Sequence, residues 1–96
     1  MRWEWSDRKN GVNKKKHKMP FEVAIGVFDD PFAITRRDIY PYEERLQTVG
    51  MIGNRLVLVI HTMPIFDVIT NEEVGRIISA RKPTIQERRS YEEGEF

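Results

Sequence analysis

This sequence has no cysteine. That excludes disulfide bonds, thiolate catalysis and any zinc site built on sulfur. It also has no long apolar run. The longest strictly apolar stretch is Leu56–Ile60, far short of the roughly 20 residues that cross a bilayer. The opening Met-Arg-Trp-Glu-Trp has no apolar core of the signal-peptide kind, so a cytoplasmic protein without membrane attachment is expected. Histidine is scarce, with 2 in 96 residues, which leaves few side chains that titrate near neutrality. Nor is there a strong net charge, since 16 Lys and Arg face 15 Asp and Glu. A chain of this length is expected to form one domain over residues 1–96.

What is present is unevenly distributed. Residues 1–18 hold seven Lys and Arg against two acids, a basic block suited either to phosphate or simply to solvent. Residues 19–32 hold three acids and no base. Trp3–Trp5 reads as a short strand with both indoles on one side, either packed in the core or stacked on RNA bases. Ser6 is placed to cap a helix over Asp7–His17. That helix has little apolar surface beyond Val12. Pro20 suits the start of a second helix, with Phe21, Ala24, Ile25 and Phe28 as its buried stripe. Asp29-Asp30-Pro31 ends it.

The remaining chain reads largely as strands. Ala33–Ile39 is a weak candidate. Arg45–Ile52, the Gly53-Asn54 turn and Arg55–Thr62 form a hairpin, its second strand apolar on both faces as a central strand is. Ile65–Ile69, after Pro64, is a loop or a small extra hairpin. Gly75–Arg81 is a further strand. Thr84 and Glu87 make a capping box that opens a helix ending near Glu93. The expected fold class is α+β: a small antiparallel sheet with two N-terminal helices and one C-terminal helix, packed on one face.

Gly75–Arg81 carries the chemistry-bearing pair Arg76 and Arg81. Guanidinium groups present planar forks that suit phosphate. In a regular strand a separation of five residues puts them on opposite faces, Arg81 with Ser79 and Arg76 with Ile78 and Ala80. They share a site only if the strand twists, bulges or ends. The plain alternative is that both are surface ion-pair partners.

A family resemblance rests on an ordered series of residues: Glu4-Trp5, Lys9, Asn13, Lys16-His17, Phe21-Glu22, Ala24 and Val27-Phe28-Asp29-Asp30-Pro31. It continues through Glu44-Arg45, Gly50, His61-Thr62, Arg76-Ile77-Ile78-Ser79-Ala80-Arg81, Glu87-Arg88 and Tyr91-Glu92. This series resembles the BrnT toxins of bacterial type II toxin–antitoxin systems, whose fold is related to the RelE ribonucleases. Lys18 stands where that pattern has a glycine, Met19-Pro20 replaces a serine-type helix cap, Gly75 replaces an apolar residue, and the connection from Thr62 to Arg76 is longer.

The resemblance implies a ribonuclease that cuts RNA without a metal or other cofactor, by attack of the 2′-OH. It also implies a cognate BrnA-like antitoxin, through which alone DNA would be contacted. Arg81, Arg76 and His61 are the expected catalytic residues, the arginines for phosphate charge and His61 for proton transfer. Lys16, His17, Arg45 and Tyr91 are the expected substrate contacts. Each also has a structural reading: a strand-closing histidine for His61, a helix-end cation for His17, a solvated lysine for Lys16, a packed ring for Tyr91. A non-catalytic nucleic-acid-binding or antitoxin-interaction module is the alternative function.

Overall fold

The computed structural model describes residues 1–96. Its elements are β1 (Arg2–Glu4), α1 (Asp7–His17), α2 (Phe21–Ala24), a 3₁₀ segment (Ile25–Asp29), β2 (Ile34–Arg37), β3 (Arg45–Ile52), β4 (Arg55–Thr62), β5 (Ile65–Asp67), β6 (Glu72–Arg81) and α3 (Ile85–Glu93). The strands run in the order β1-β6-β4-β3-β2, with β5 also paired to β6. The class is α+β, as expected. Two details differ from the sequence expectation. The sheet is mixed, because β1 runs parallel to β6. The third helix packs on the opposite face from the first two.

Alternation along β4 shows why two faces are covered. Val57 and Val59 join Ile77 and Ala80 beneath Met19, Phe21, Ala24 and Val27. Leu56 and Leu58 point the other way, joining Val49 and the partly buried Ile60, Tyr91 and Phe96. A strand apolar on both sides needs two covering layers, and α3 with the C-terminal Phe96 is the second. Phe21, Leu58 and Ile77 are fully buried, each contributing about 1.5–3 kcal/mol of apolar transfer.

Local chemistry fixes the helix ends. The Ser6 hydroxyl accepts from the Lys9 N–H at the start of α1. At its other end Lys18 adopts φ 58° in the left-handed region, where only glycine is free of a Cβ penalty. Pro20 provides no side-chain cap for α2; instead Asn10 Oδ1 accepts from the Phe21 N–H at 2.8 Å. After Ala24 the helix tightens to 3₁₀. Three residues per turn align Phe21, Ala24 and Val27, so Val27 rather than Phe28 is the fully buried member.

What anchors the polar α1 is Asn13. Its amide donates to the carbonyls of Met19 and Ala80 and accepts from the Ala80 N–H at 3.2 Å. It thereby takes the place of a neighbouring strand on the outer edge of β6, beyond the reach of β1. No helix is long and apolar enough to cross a membrane.

Candidate active site

The β4–β6 ladder slips between Ile60 and His61: Ile60 pairs with Ser79, but His61 pairs with Ile77. Ile78 is therefore the extra residue of a β-bulge, and parity reverses across it. Arg81 lies opposite Leu58 and Arg45 opposite Thr62, both on the α3 side. The reversal brings Arg76 to this side too, where its N–H donates to Thr62 Oγ1 at 2.9 Å. The expectation that Arg76 and Arg81 face apart is thus corrected by one bulged residue.

Four guanidiniums share this face through two carboxylates. Glu87 receives Arg81 Nη1 at 2.8 Å and Nη2 at 3.1 Å. It also receives Arg36 Nη2 at 3.1 Å. Glu43 Oε1 receives Arg45 Nε at 2.8 Å and also the Arg76 guanidinium. Arg36 additionally donates to Gln47 Oε1, and Gln47 donates to Asp38. Because Arg36 pairs across to Gln47, two residues along β3 from Arg45, the backbone positions that carry the two groups are about 7 Å apart along the strand. Arg45 lies over the Tyr40 ring, 3.7 Å from its centroid, a cation–π contact that orients it.

These contacts set the ionisation of the face. The Arg81 fork, with the Thr84 N–H also donating, holds the Glu87 carboxyl down at about 2 against the upward push of burial. Glu87 in turn raises Arg81. The Arg45 hydrogen bond, with Arg76 beside it, holds Glu43 below the usual carboxylate range. Both carboxylates are ionised at neutral pH, so each marks a position where the surrounding arginines accept an anion.

His61 is elsewhere. It pairs with Leu46 and Ile77 on the α1/α2 side and is only 4% exposed. Trp3 and Phe28 stack on one another, and each meets the imidazole edge-on, with centroids 5.2 Å and 4.9 Å away. Nε2 bonds Thr48 Oγ1 at 2.7 Å, and Nδ1 lies 3.0 Å from the Thr62 carbonyl oxygen. Burial lowers its pKa, although the Thr62 contact works the other way. A ring enclosed by two aromatics and satisfied at both nitrogens has no open path to substrate. The proton-carrier expectation for His61 does not fit this position.

The other expected contacts scatter. Lys16 and the half-buried His17 lie at the end of α1, away from the arginine face, beside Ile78 and Ser79 on the β6 edge. Tyr91 is on the α3 side, but its hydroxyl donates to Asp30 Oδ2 at 2.6 Å, which pushes its pKa up to about 12. Asp30 also accepts from the Met51 N–H, so Tyr91 ties α3 to the end of the 3₁₀ segment. Sequence reasoning missed Arg36, Glu43 and the ion-pair role of Glu87. For Glu87 the capping box was a visible signal; Arg36 and Glu43 lie in weakly patterned sequence. No group of three His, Asp or Glu side chains is arranged to hold a metal ion.

The Thr62–Arg76 connection forms the β5 hairpin, with Ile65, Phe66, Val68 and Ile69 exposed along it. A family model described as ribonuclease toxin, BrnT, of type II toxin–antitoxin system matches residues 5–87. No curated protein matches the chain.

Proposed function

The chain belongs to the BrnT family of ribonuclease toxins of type II toxin–antitoxin systems, and on that premise we propose that it cleaves RNA without a metal, by 2′-OH attack on the arginine face. The observation that carries this reading is the pair of shared carboxylates: Glu43 between Arg45 and Arg76, and Glu87 between Arg36 and Arg81. A scissile phosphate takes the place that Glu43 occupies between Arg45 and Arg76. These guanidiniums then stabilise the extra charge on the non-bridging oxygens as the phosphorane forms.

Glu87 is held by its helix cap as well as by arginine, so it stays and keeps Arg81 and Arg36 in place. Glu43, displaced from the guanidiniums but still beside them, takes the 2′-OH proton. The 5′-oxygen leaves with a proton from solvent, to which the face is open. The products are a 2′,3′-cyclic phosphate and a 5′-hydroxyl.

Membership of a type II system brings an antitoxin partner. We assign it BrnA-like character, with DNA contact made by the antitoxin. An acidic side chain of that partner entering between Arg45 and Arg76 would mask the site as Glu43 does. Cleavage of a short RNA in excess EDTA tests the mechanism. Cyclic-phosphate ends, an inert 2′-deoxy substrate and loss of cleavage in Arg45→Ala/Arg76→Ala support it. A requirement for divalent metal, or equal cutting of the deoxy substrate, overturns it.

A further inference from the structure

We propose that a second phosphate-binding surface, a basic trough along the outer edge of β6, holds the backbone of single-stranded RNA away from the arginine face. It rests on the reading of this chain as an RNA-binding ribonuclease but uses different residues. The trough begins where the sheet loses a strand. Arg81 is the last β6 residue paired to β4, opposite Leu58. Pro83 follows, and without an N–H it cannot extend the ladder. The edge of β4 at Leu56 and Val57 is therefore left beside a hollow of about 400 Å³. Its rim is His17 and Lys18 from the end of α1, Arg55 from the hairpin, Lys82, and Arg88 from α3.

A second hollow of about 320 Å³ continues along β6 past Ile78 and Ser79, rimmed by Arg8, Lys9 and Lys16. His17 borders both hollows, which lie on either side of it. The helix spacing explains the second rim: Arg8, Val12 and Lys16 lie four residues apart on one face of α1.

The electrostatics differ from those of the arginine face. No Asp or Glu lines either hollow. None of Arg8, Lys9, Lys16, Lys18, Arg55, Lys82 or Arg88 is in an ion pair, whereas Arg36, Arg45, Arg76 and Arg81 all are. Like charges confined around a concave surface repel, and an anion relieves that repulsion.

Two neighbouring basic hollows sharing His17 suit an extended polyanion rather than a single ion. Guanidinium forks at Arg55 and Arg88 suit phosphate and carboxylate alike, so the choice of RNA over an acidic peptide rests on the ribonuclease reading. Lys82 and Arg88 directly follow Arg81 and Glu87 in the chain, which puts the rim of the first hollow next to the Arg81–Glu87 pair.

The test compares wild type with Arg55→Ala/Lys82→Ala/Arg88→Ala, three exposed positions whose replacement leaves the core intact. Binding of a fluorescent 12-nucleotide DNA, which lacks 2′-OH groups and is not cleaved by the proposed chemistry, is measured against salt. Removing three contacts lowers the slope of log K against log salt by about 2 and weakens binding on the order of 100-fold at 0.1 M salt. A control with equal charge loss outside the trough, Lys14→Ala/Lys15→Ala/Arg89→Ala, changes the slope by less than half as much. Cleavage of a dinucleotide, too short to reach the trough, is unchanged in the trough variant. An unaltered slope, an equal effect in the control, or wild type that binds poly-glutamate but not the oligonucleotide overturns the proposal. Trough-dependent binding without any RNA cleavage leaves the trough intact and overturns the ribonuclease mechanism instead.

Discussion

Glu87→Gln separates the electrostatic from the capping role of the most connected carboxylate in the structure. Glutamine keeps an amide oxygen to accept from the Thr84 N–H, so the capping box survives. What is lost is the charge that receives Arg81 twice and Arg36 once. The folded carboxyl is held at about 2, against a usual value of 4.5. That difference corresponds to at most about 3 kcal/mol of linkage. Arg36 is 41% exposed at its side chain and Arg81 28%, so solvent screening reduces the expected cost to about 1.5–2 kcal/mol at pH 7.

For a chain of this size that cost lowers the thermal midpoint on the order of 10 °C. The sign in acid is fixed. A carboxylate whose folded pKa is depressed contributes fully above 4.5 and loses its contribution as pH falls towards 2. Glu22, Asp30 and Glu43 are also lowered, so urea unfolding of both proteins at a series of pH values is compared as a difference. The gap between wild type and Glu87→Gln should be widest at pH 7 and close as pH approaches 2. A gap that stays constant across that range, or no gap at neutral pH, refutes the ion-pair account of Glu87.

Other substitutions probe other parts of the fold. Lys18→Gly should stabilise the protein by about 1 kcal/mol in denaturant titration, because Lys18 holds φ 58° and glycine removes the left-handed Cβ strain. At Gly75 a methyl group would stand 2.3 Å from the Trp3 ring, so Gly75→Ala should cost about 1–3 kcal/mol and disturb the near-UV dichroism of the tryptophans. His61→Ala should lower the denaturation midpoint by the cost of a buried cavity while sparing cleavage by the folded protein at pH 7; a loss of roughly 10²–10⁴-fold in turnover with stability retained would make it a proton carrier after all. Since burial depresses the His61 pKa below 6.5, its contribution to stability is present above that value and declines as pH falls below it. Wild type should therefore lose stability between pH 7 and 5.5 more steeply than His61→Ala.

The local rules written in this sequence were sufficient where the chain solves its own problem. Ser6, the Thr84–Glu87 box and the Gly53-Asn54 turn are short-range devices, and α1, α3 and the β3–β4 hairpin have the bounds they indicate. Apolar residues on both sides of Arg55–Thr62 required a central strand, and β4 is one. Partners far apart in the chain were not legible. Asn13 reads as an ordinary polar helix residue until Ala80 meets it. Glu43 is one of two adjacent acids in a loop, and only folding sets it between Arg45 and Arg76.

The sequence by itself determined the family series, the α+β class and the arginine content of β6, because these depend on residue identity and short-range periodicity. Tertiary structure alone decided which residues share a face. The single bulge at Ile78 brings Arg76 round to join Arg81 and Arg45. On the other side of the sheet, Trp3 and Phe28 enclose His61. A strand's parity is set by its register with its neighbour, and one extra residue reverses it.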